Sequence, residues 1–405
     1  MRQMPHDAGA SEDAYARKDI KKFEFEDLAG YEQLYNAHLE TRKGRRYKSE
    51  VAIYDYRMLE ATLYLEWLLK SGHYRMGDQR EFFVYEPKKR LVVSYEHKDK
   101  VVQRSYCDNV FKPRVAPRLI LDNYASQEGK GVEFGLKRLK KMLVDYYSKN
   151  GTNKGAILKG DIHHYFASMK HSEVKKQTRE LYEDERIIKL QDMTVDSWYS
   201  KEETVDMNDK RGLPLGLDSS QMWGVVMLDP LDHYIKEVLH IKYYGRYMDD
   251  FFLIHEDAEY LKECRIKIEE FVGKLGLKTN NKTQIFPLRH GIDFLGFHTY
   301  LKDSGKVVMK LRQKKKRSYK RKLRKLKVKV EKGERTFETV NTSYQSWRAN
   351  AKRGNCHYLI QEMDCYFYTL FYNYISPEEK MELAKIKRNL KKKPERRNKN
   401  VKTIK

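Results

Sequence analysis

The chain has 405 residues, 40% hydrophobic and 12% aromatic with 30 tyrosines, enough apolar material for a sizeable core and against general disorder. No apolar run approaches the ~20 residues of a membrane helix, and the first residues, MRQMPHDAGASEDAYARKD, contain no apolar stretch that could act as a signal peptide. The formal net charge is +24, and two stretches carry +23 of it: 13 basic residues and no acid from Lys310 to Val330, then 11 basic residues and one acid from Lys385 to Lys405. Two concentrated basic segments on a near-neutral body are the electrostatic footprint of a polyanion-binding protein. A solvated helix face plus a loose tail is the plainer alternative. Cys107, Cys264, Cys356 and Cys365 stand too far apart for CxxC pairs, which argues against a zinc ribbon or a disulfide framework and for a reducing compartment.

Residues 1 to about 20 are polar and read as loose. From Tyr56 to Lys70, Leu59, Leu63, Leu65 and Leu69 recur at roughly helical spacing, and Ser71-Gly72 ends the run. The segment 81–95, EFFVYEPKKRLVVSY, places β-branched and aromatic residues on both sides of a Pro-Lys-Lys turn and predicts a β-hairpin. A glycine-bearing loop, YASQEGKG at 124–131, opens a helix with Leu136, Leu139 and Leu143 on one face. Residues 155–162 (GAILKGDI) form a short apolar strand ending at Asp161. A charged, helical insertion over about 171–206 precedes RGLPLG (211–216) and a helix from Ser219. Two apolar runs, 241–247 and 251–255, flank Asp249-Asp250 in the pattern of a tight hairpin. A helix carrying Leu261, Cys264, Ile268, Phe271 and Val272 ends near Gly276, and a short strand at 292–297 precedes the first basic segment. Helices, a hairpin, then strands interleaved with helices around an antiparallel pair make an α+β layout.

Tyr247-Met248-Asp249-Asp250 at the tip of an apolar hairpin is the strongest chemical signal. Two adjacent carboxylates between buried strands are costly unless a cation or a hydrogen-bond network compensates them. Asp161 also stands at the end of a buried strand, so neighbouring strands would bring three carboxylates to one point. Hard dications take oxygen ligands and leave positions open for phosphate, so such a cluster suits two Mg2+ ions in phosphoryl transfer. Taken alone, Asp249-Asp250 reads equally as an ordinary turn dipeptide.

KGDIHHYF (159–166), GLPLGLDSSQ (212–221), YMDDF (247–251), Lys282 after GLKTNN, and FLGF (294–297) resemble the successive palm motifs of a reverse transcriptase, in order. FFVYEPKKRLVVS (82–94) and YASQEGKG (124–131) resemble the fingers motifs of that family, so the likeness spans about residues 46 to 380. The resemblance implies a right-hand polymerase with fingers, a palm with an antiparallel sheet, and a helical thumb. It divides the chain into a leader (1–45), fingers (46–150), palm (151–299), thumb (300–378) and a basic tail (379–405).

By the same resemblance, Asp161 and Asp249 are the principal metal ligands, Asp250 a ligand or close electrostatic partner, and the carbonyl of Ile162 helps hold one of two Mg2+ ions, with Mn2+ as a substitute. Lys282 matches the lysine that protonates the leaving pyrophosphate. Lys89, Arg90 and Lys130 match cations that meet the triphosphate. Phe166 matches the aromatic gate that excludes a ribose 2′-hydroxyl, and Leu215, Gly216 and Gln221 lie beside the nascent base pair. Glycine at 216 is expected so that the chain can approach that pair. Tyr247 and the hairpin at Phe294, Leu295 and Gly296 resemble the contacts that position the primer end. In the basic segment, Tyr319, Leu323, Leu326 and Val330 form an apolar stripe, leaving Lys314, Lys315, Lys316, Arg317, Lys320 and Arg321 to meet duplex phosphates. A membrane-surface or partner helix is the alternative for that segment. Tyr366, Phe367, Tyr368, Phe371 and Tyr372 read as thumb core. His163 and His164 read as structural or duplex-facing, because adjacent residues usually point apart.

Leu215 stands where many reverse transcriptases have glutamine, and the motif closes with Ser220-Gln221. Together with SYQSWRANAKRGNCHYLIQ (343–361), this resembles reverse transcriptases of diversity-generating retroelements, whose copying is error-prone at template adenine. HKDK (97–100) departs from the usual Asp-Arg there, and the tail is more basic than that type implies, which leaves open a defence-associated bacterial lineage. The resemblance implies template RNA, an RNA/DNA duplex and dNTPs as partners, with a small accessory protein and a structured non-coding RNA as further candidates. It also implies a cytoplasmic, bacterial or phage-encoded protein with no membrane. Rival readings are an RNA-dependent RNA polymerase, against which Phe166 speaks, and a catalytically silent RNA-binding scaffold.

Overall fold

A computed structural model describes residues 22–85 and 89–391. Glu86, Pro87 and Lys88, which include most of the expected Pro-Lys-Lys turn, the first 21 residues and the end of the basic tail from 392 onward lie outside the described residues. Along the chain come α1 (Glu26–Ala29), α2 (Tyr31–Thr41), α3 (Ser49–Tyr56), α4 (Met58–Lys70), the hairpin β1 (Arg80–Val84) and β2 (Arg90–Ser94), α5 (His97–Tyr106) and α6 (Lys112–Val115). Next are α7 (Val132–Asn150), β3 (Ala156–Gly160), α8 (Tyr165–Ser168), α9 (His171–Leu181), α10 (Glu185–Asp196), α11 (Asp218–Val226) and α12 (Asp229–His233). Then follow β4 (Tyr243–Tyr247), β5 (Asp250–His255), α13 (Ala258–Lys274), β6 (Gln284–Pro287), β7 (Ile292–Phe294), β8 (Phe297–Leu301) and β9 (Val307–Leu311). The chain continues through α14 (Gln313–Glu331), α15 (Phe337–Lys352), α16 (His357–Leu370) and α17 (Pro377–Lys391). Among the described residues no helix is long and apolar enough to cross a membrane.

Two compact units are built from alternating stretches: residues 1–127, 162–234 and 268–280 form the first, and 128–161, 235–267 and 281–405 the second. In the first unit α5 is the central element, because Val101, Val102 and Tyr106 on it are fully buried, as are Leu28, Ala29 and Leu34 of α1 and α2. Residues 26–41, in the stretch expected as a leader, are therefore helical and supply core. In α4, Leu65 and Leu69 are buried but Leu59 and Leu63 are exposed, so the stripe is narrower than the leucine spacing predicts.

The departure at HKDK has a structural use. Asp99 accepts from Tyr74 Oη at 2.7 Å and from the Gly77 amide at 3.1 Å. His97 Nε2 lies 2.9 Å from His38 Nδ1, whose other ring nitrogen is 2.7 Å from Asp55 Oδ1. Burial pushes His97 down to about 4, so the buried imidazole stays neutral.

The second unit holds a four-stranded sheet of order β4-β5-β3-β6 and a three-stranded sheet of order β7-β8-β9. Phe251, Phe252, Leu253 and Ile254 of β5 are all buried, the pattern of a strand covered on both faces. Phe294 is buried edge-on against Phe252, with ring centroids 5.0 Å apart. In the basic segment, Leu323 and Val330 are buried with Tyr344, Phe367 and Phe371, and Tyr319 and Leu326 pack against the same cluster, as the stripe predicts. Phe367 and Phe371 are core, Tyr366 and Tyr368 pack partly buried against it, and Tyr372 is exposed.

Candidate active site

Antiparallel register carries Asp161 to the β4–β5 turn. The last ladder pair of β3 with β5 is Gly160 with Phe251; Asp161 follows Gly160, and Asp250 precedes Phe251. Across the hairpin Tyr247 pairs with Asp250, so Met248 and Asp249 are the two turn residues. Met248 takes φ +57°, the left-handed region that this kind of two-residue turn requires. Arg246, fully buried, donates to the Met248 carbonyl at 2.9 Å and so props the turn from beneath. Gly160 is required by close packing, since a Cβ there would overlap the Phe251 ring.

Lys159, two residues before Asp161 on the same strand face, points along the sheet toward Asp250. Its Nζ stands 3.2 Å from Asp250 Oδ1, donates to Oδ2 at 3.4 Å, and donates to the Asp293 carbonyl at 2.7 Å. Burial pushes the Asp250 carboxyl up to about 6 against the pull of Lys159, and the neighbouring charge of Asp249 adds to the rise. Asp250 Oδ1 is buried and accepts no hydrogen bond. Asp161 and Asp249 are its neighbours in register and chain, an all-oxygen set of the kind a hard dication takes, although as they stand the three do not bring one ligand atom each within 4.8 Å of one another. Lys159 and Arg246 were not singled out by the sequence motifs. Lys159 is detectable by its two-residue offset from Asp161, and Arg246 by the oddity of an arginine in a buried strand.

The hairpin of β7 and β8 turns at Leu295 and Gly296, with φ +48° and +90°. A Cβ at Gly296 would collide with the Lys315 ammonium, so the first turn of α14 rests against this hairpin. Phe294 contributes through the core, since its ring is buried. Asp293 ties the same corner together: its Oδ1 is 2.9 Å from His298 Nδ1 and its Oδ2 2.9 Å from Arg312 Nε. Along α14, Lys314, Lys315, Arg317 and Arg321 are exposed. Lys316 is paired with Glu362 at 2.6 Å, and Lys320 lies over the Tyr366 ring at 4.9 Å. Tyr247 is half-buried beside the turn, Lys130 half-buried in the loop entering α7, and Lys282 exposed in the turn before β6.

The first unit laces together its own share of the motif residues. The Leu213 amide donates to the Phe166 carbonyl at 2.8 Å, and the Val93 amide donates to the Leu215 carbonyl at 2.9 Å. Phe166 on α8, the loop 212–217 and strand β2 are thus joined by backbone bonds. Gly216 has φ +151°, and a Cβ on it would run into the Val93 carbonyl. The fold itself demands this glycine, a nearer reason than the approach of a base pair. Arg90 begins β2 opposite Val84, and Lys89 Nζ lies 4.2 Å from the Phe83 ring centre. Gln221 is exposed on α11, and Ile162 is bridged to Thr279 just beyond β3.

The family model described as reverse transcriptase (RNA-dependent DNA polymerase) matches residues 87–299, just over half of the chain. The chain belongs to the reverse transcriptase family. Its α+β fold is accordingly of the right-hand polymerase class. Among solved structures, telomerase from Candida albicans in complex with a TWJ fragment of telomeric RNA is similar over 63% of this chain and 51% of that one, at 12% identity and a TM-score of 0.44. Apo telomerase from Candida tropicalis, truncated from its C-terminal domain, is similar over 60% and 58%, at 14% identity and 0.44. A further apo telomerase from Candida tropicalis is similar over 62% and 53%, at 12% identity and 0.41. The reverse transcriptase chain thus spans a little over half the length of these telomerase chains. No curated protein matches it.

Proposed function

We propose that the protein is an RNA-templated DNA polymerase that extends a primer 3′-hydroxyl with dNTPs. The observation that carries this reading is the register of β3, β4 and β5, which supports Asp161 and Asp249 as neighbours around a turn whose second carboxylate, Asp250, has a buried oxygen that lies 3.2 Å from the Lys159 ammonium and accepts no hydrogen bond. Asp161, Asp249 and Asp250 would hold the metal, with the Ile162 carbonyl next in the chain. Bound there, a pair of Mg2+ ions, or Mn2+ in their place, would supply charge stabilisation at the reacting phosphate and acidify the attacking hydroxyl.

In the reaction the primer 3′-oxygen bonds to the α-phosphorus, the bond to the bridging oxygen breaks, and pyrophosphate leaves. Lys282 gives the departing pyrophosphate a proton, while Lys89, Arg90 and Lys130 hold the triphosphate. Phe166 excludes the ribose 2′-hydroxyl by its ring. Lys159 keeps Asp250 largely ionised at neutral pH despite burial, and Arg246 fixes the turn that presents Asp249. Tyr247 and the turn at Leu295 and Gly296 set the primer end, and the exposed cations of α14 follow the duplex backbone by charge.

Leu215 with Ser220 and Gln221 supports the diversity-generating type, in which copying errs at template adenine and an accessory protein and structured RNA accompany the enzyme in the cytoplasm. A defence-associated lineage is the second reading, favoured by the buried His97 and Asp99 in place of the usual Asp-Arg. Primer extension on an RNA template decides the core claim. Asp249→Asn should abolish extension and leave duplex binding within about twofold, and wild type should prefer dNTPs to rNTPs. Retained synthesis in Asp249→Asn, or equal use of rNTPs, would refute it. Sequencing co-purified RNA with its cDNA separates the two lineages: adenine-centred errors support the first, faithful copies the second.

A further inference from the structure

His163 and His164 lie side by side. Their ring centroids are 3.9 Å apart with planes 23° from parallel, contrary to the rule that adjacent side chains diverge. The cause is His164, whose φ of +42° lies in the left-handed region and swings its ring over that of His163. Such a conformation in a non-glycine residue is disfavoured and persists only where the surroundings impose it. Glu203, on a separate loop, places Oε1 2.6 Å from His164 Nδ1. Among the described residues, these three form the one group of His, Cys, Asp or Glu side chains whose ligand atoms all lie within 4.8 Å of one another.

An ion pair between His164 and Glu203 accounts for one contact, but neither for the second imidazole nor for the strained backbone. We infer that His163, His164 and Glu203 are the ligands of a divalent transition-metal site, of the zinc class. Two imidazoles and one carboxylate are the ligand set that borderline cations select over Mg2+, which prefers oxygen alone. Metal–ligand bonds of about 2.0–2.2 Å in a tetrahedron put ligand atoms about 3.4 Å apart, within reach of the observed spread by small rotations of exposed side chains.

Both backbone segments are held in place before any ion arrives. The His163 amide donates to the Lys278 carbonyl at 2.8 Å, and the Ala167 and Ser168 amides donate to the His164 carbonyl at 2.9 Å. The Glu203 loop is closed by the Ser200 amide on the Arg211 carbonyl at 2.7 Å and the Thr204 amide on the Ser200 carbonyl at 3.0 Å. His163 and Glu203 open onto a cleft of about 390 Å³ shared with Ser168, Asp206, Asp209 and Arg211, which leaves room for a fourth, exchangeable ligand such as water. The ion would tie the loop around Glu203 to the segment that leads into Phe166. This is a second metal site, with chemistry different from that of the aspartates.

The test is Co2+ binding to the full chain in excess Mg2+, read by visible d–d absorption and by metal content after dialysis. Wild type and Asp249→Asn should each bind one tight equivalent. His163→Ala, His164→Ala and Glu203→Gln should weaken that binding more than about 100-fold, beyond what loss of an outer partner costs. Glu203→His, which keeps a ligand, should retain the band at a shifted wavelength, with circular dichroism confirming that all variants fold. No tight equivalent in wild type, binding unchanged in the His164 and Glu203 variants, or binding lost in Asp249→Asn would each overturn the site.

Discussion

Lys159 reaches across from β3 to hold Asp250 on β5, with Nζ 3.2 Å from Oδ1, and the same ammonium donates to the Asp293 carbonyl. One cation therefore connects the β4–β5 hairpin to the strand that begins the β7–β8 turn. Lys159→Met removes the attraction that opposes burial, so the Asp250 carboxyl moves above about 6. The acid limb of the extension pH profile should shift to higher pH, and the Mg2+ needed at pH 7 should rise several-fold. Lys159→Arg should leave the limb where it is. An unmoved limb in Lys159→Met would show that the pair does not tune the site.

Asp250 also makes stability depend on pH in the absence of metal. Its carboxyl titrates near 6 in the folded chain against 3.8 otherwise, so between those values the folded state binds the extra proton. Stability therefore falls as pH rises from about 4 to about 6 and is level above that. Asp250→Asn lacks this component. Melting temperatures of the two proteins in EDTA should separate across that window, with the variant gaining relative to wild type. Parallel curves would contradict the raised carboxyl.

Met248 carries the positive φ of the turn. Met248→Gly removes the strain and should be neutral or stabilising by up to about 1 kcal/mol. Met248→Val adds a branched Cβ to a left-handed position and should cost about 1–3 kcal/mol. Calorimetric unfolding distinguishes the two, and equal stability would mean that the turn relaxes without cost.

Gly216 backs onto the Val93 carbonyl, so Gly216→Ala must push the loop away from β2. The strand carrying Arg90 moves with it. KM for dNTP should rise about tenfold or more, with a smaller change in kcat, in steady-state extension kinetics. A change in kcat alone would place the defect elsewhere.

Leu215 accepts from the Val93 amide of β2 through its backbone carbonyl, a bond that a change of side chain preserves. Leu215→Gln should keep the fold and lower misincorporation opposite template adenine by about tenfold, since a hydrogen-bonding side chain discriminates better than an aliphatic one. Product sequencing gives the ratio directly, and an unchanged error spectrum would remove Leu215 from fidelity control.

Local pattern was enough to find what is local. Asp249 and Asp250 announce themselves because two carboxylates interrupt apolar β runs, and the α14 stripe because its period is helical. Relationships set by tertiary contact were hidden. The pairing of His164 with Glu203 joins residues 39 apart through a left-handed backbone that histidine rarely adopts. Buried Arg246 looks like a surface charge until the hairpin is assembled around it. Strand β6 carries only two partly buried residues and has no clear alternation, so it reads as loop until β3 supplies its partner. At Gly216 the motif identified the residue, but the contact with Val93 that requires it lies more than a hundred residues away.

The polypeptide changes unit five times, after residues 127, 161, 234, 267 and 280. During synthesis the first unit therefore stays incomplete until residue 280 has left the ribosome, which at ~5–20 residues per second is roughly 8–30 s after residue 127 emerges. For the first part of that interval Phe111 waits for Trp223, against whose ring it finally packs with centroids 4.8 Å apart. A nascent chain of this design offers a long-lived sticky surface to ribosome-associated holdases, and its yield in cells should depend on their supply and on translation speed.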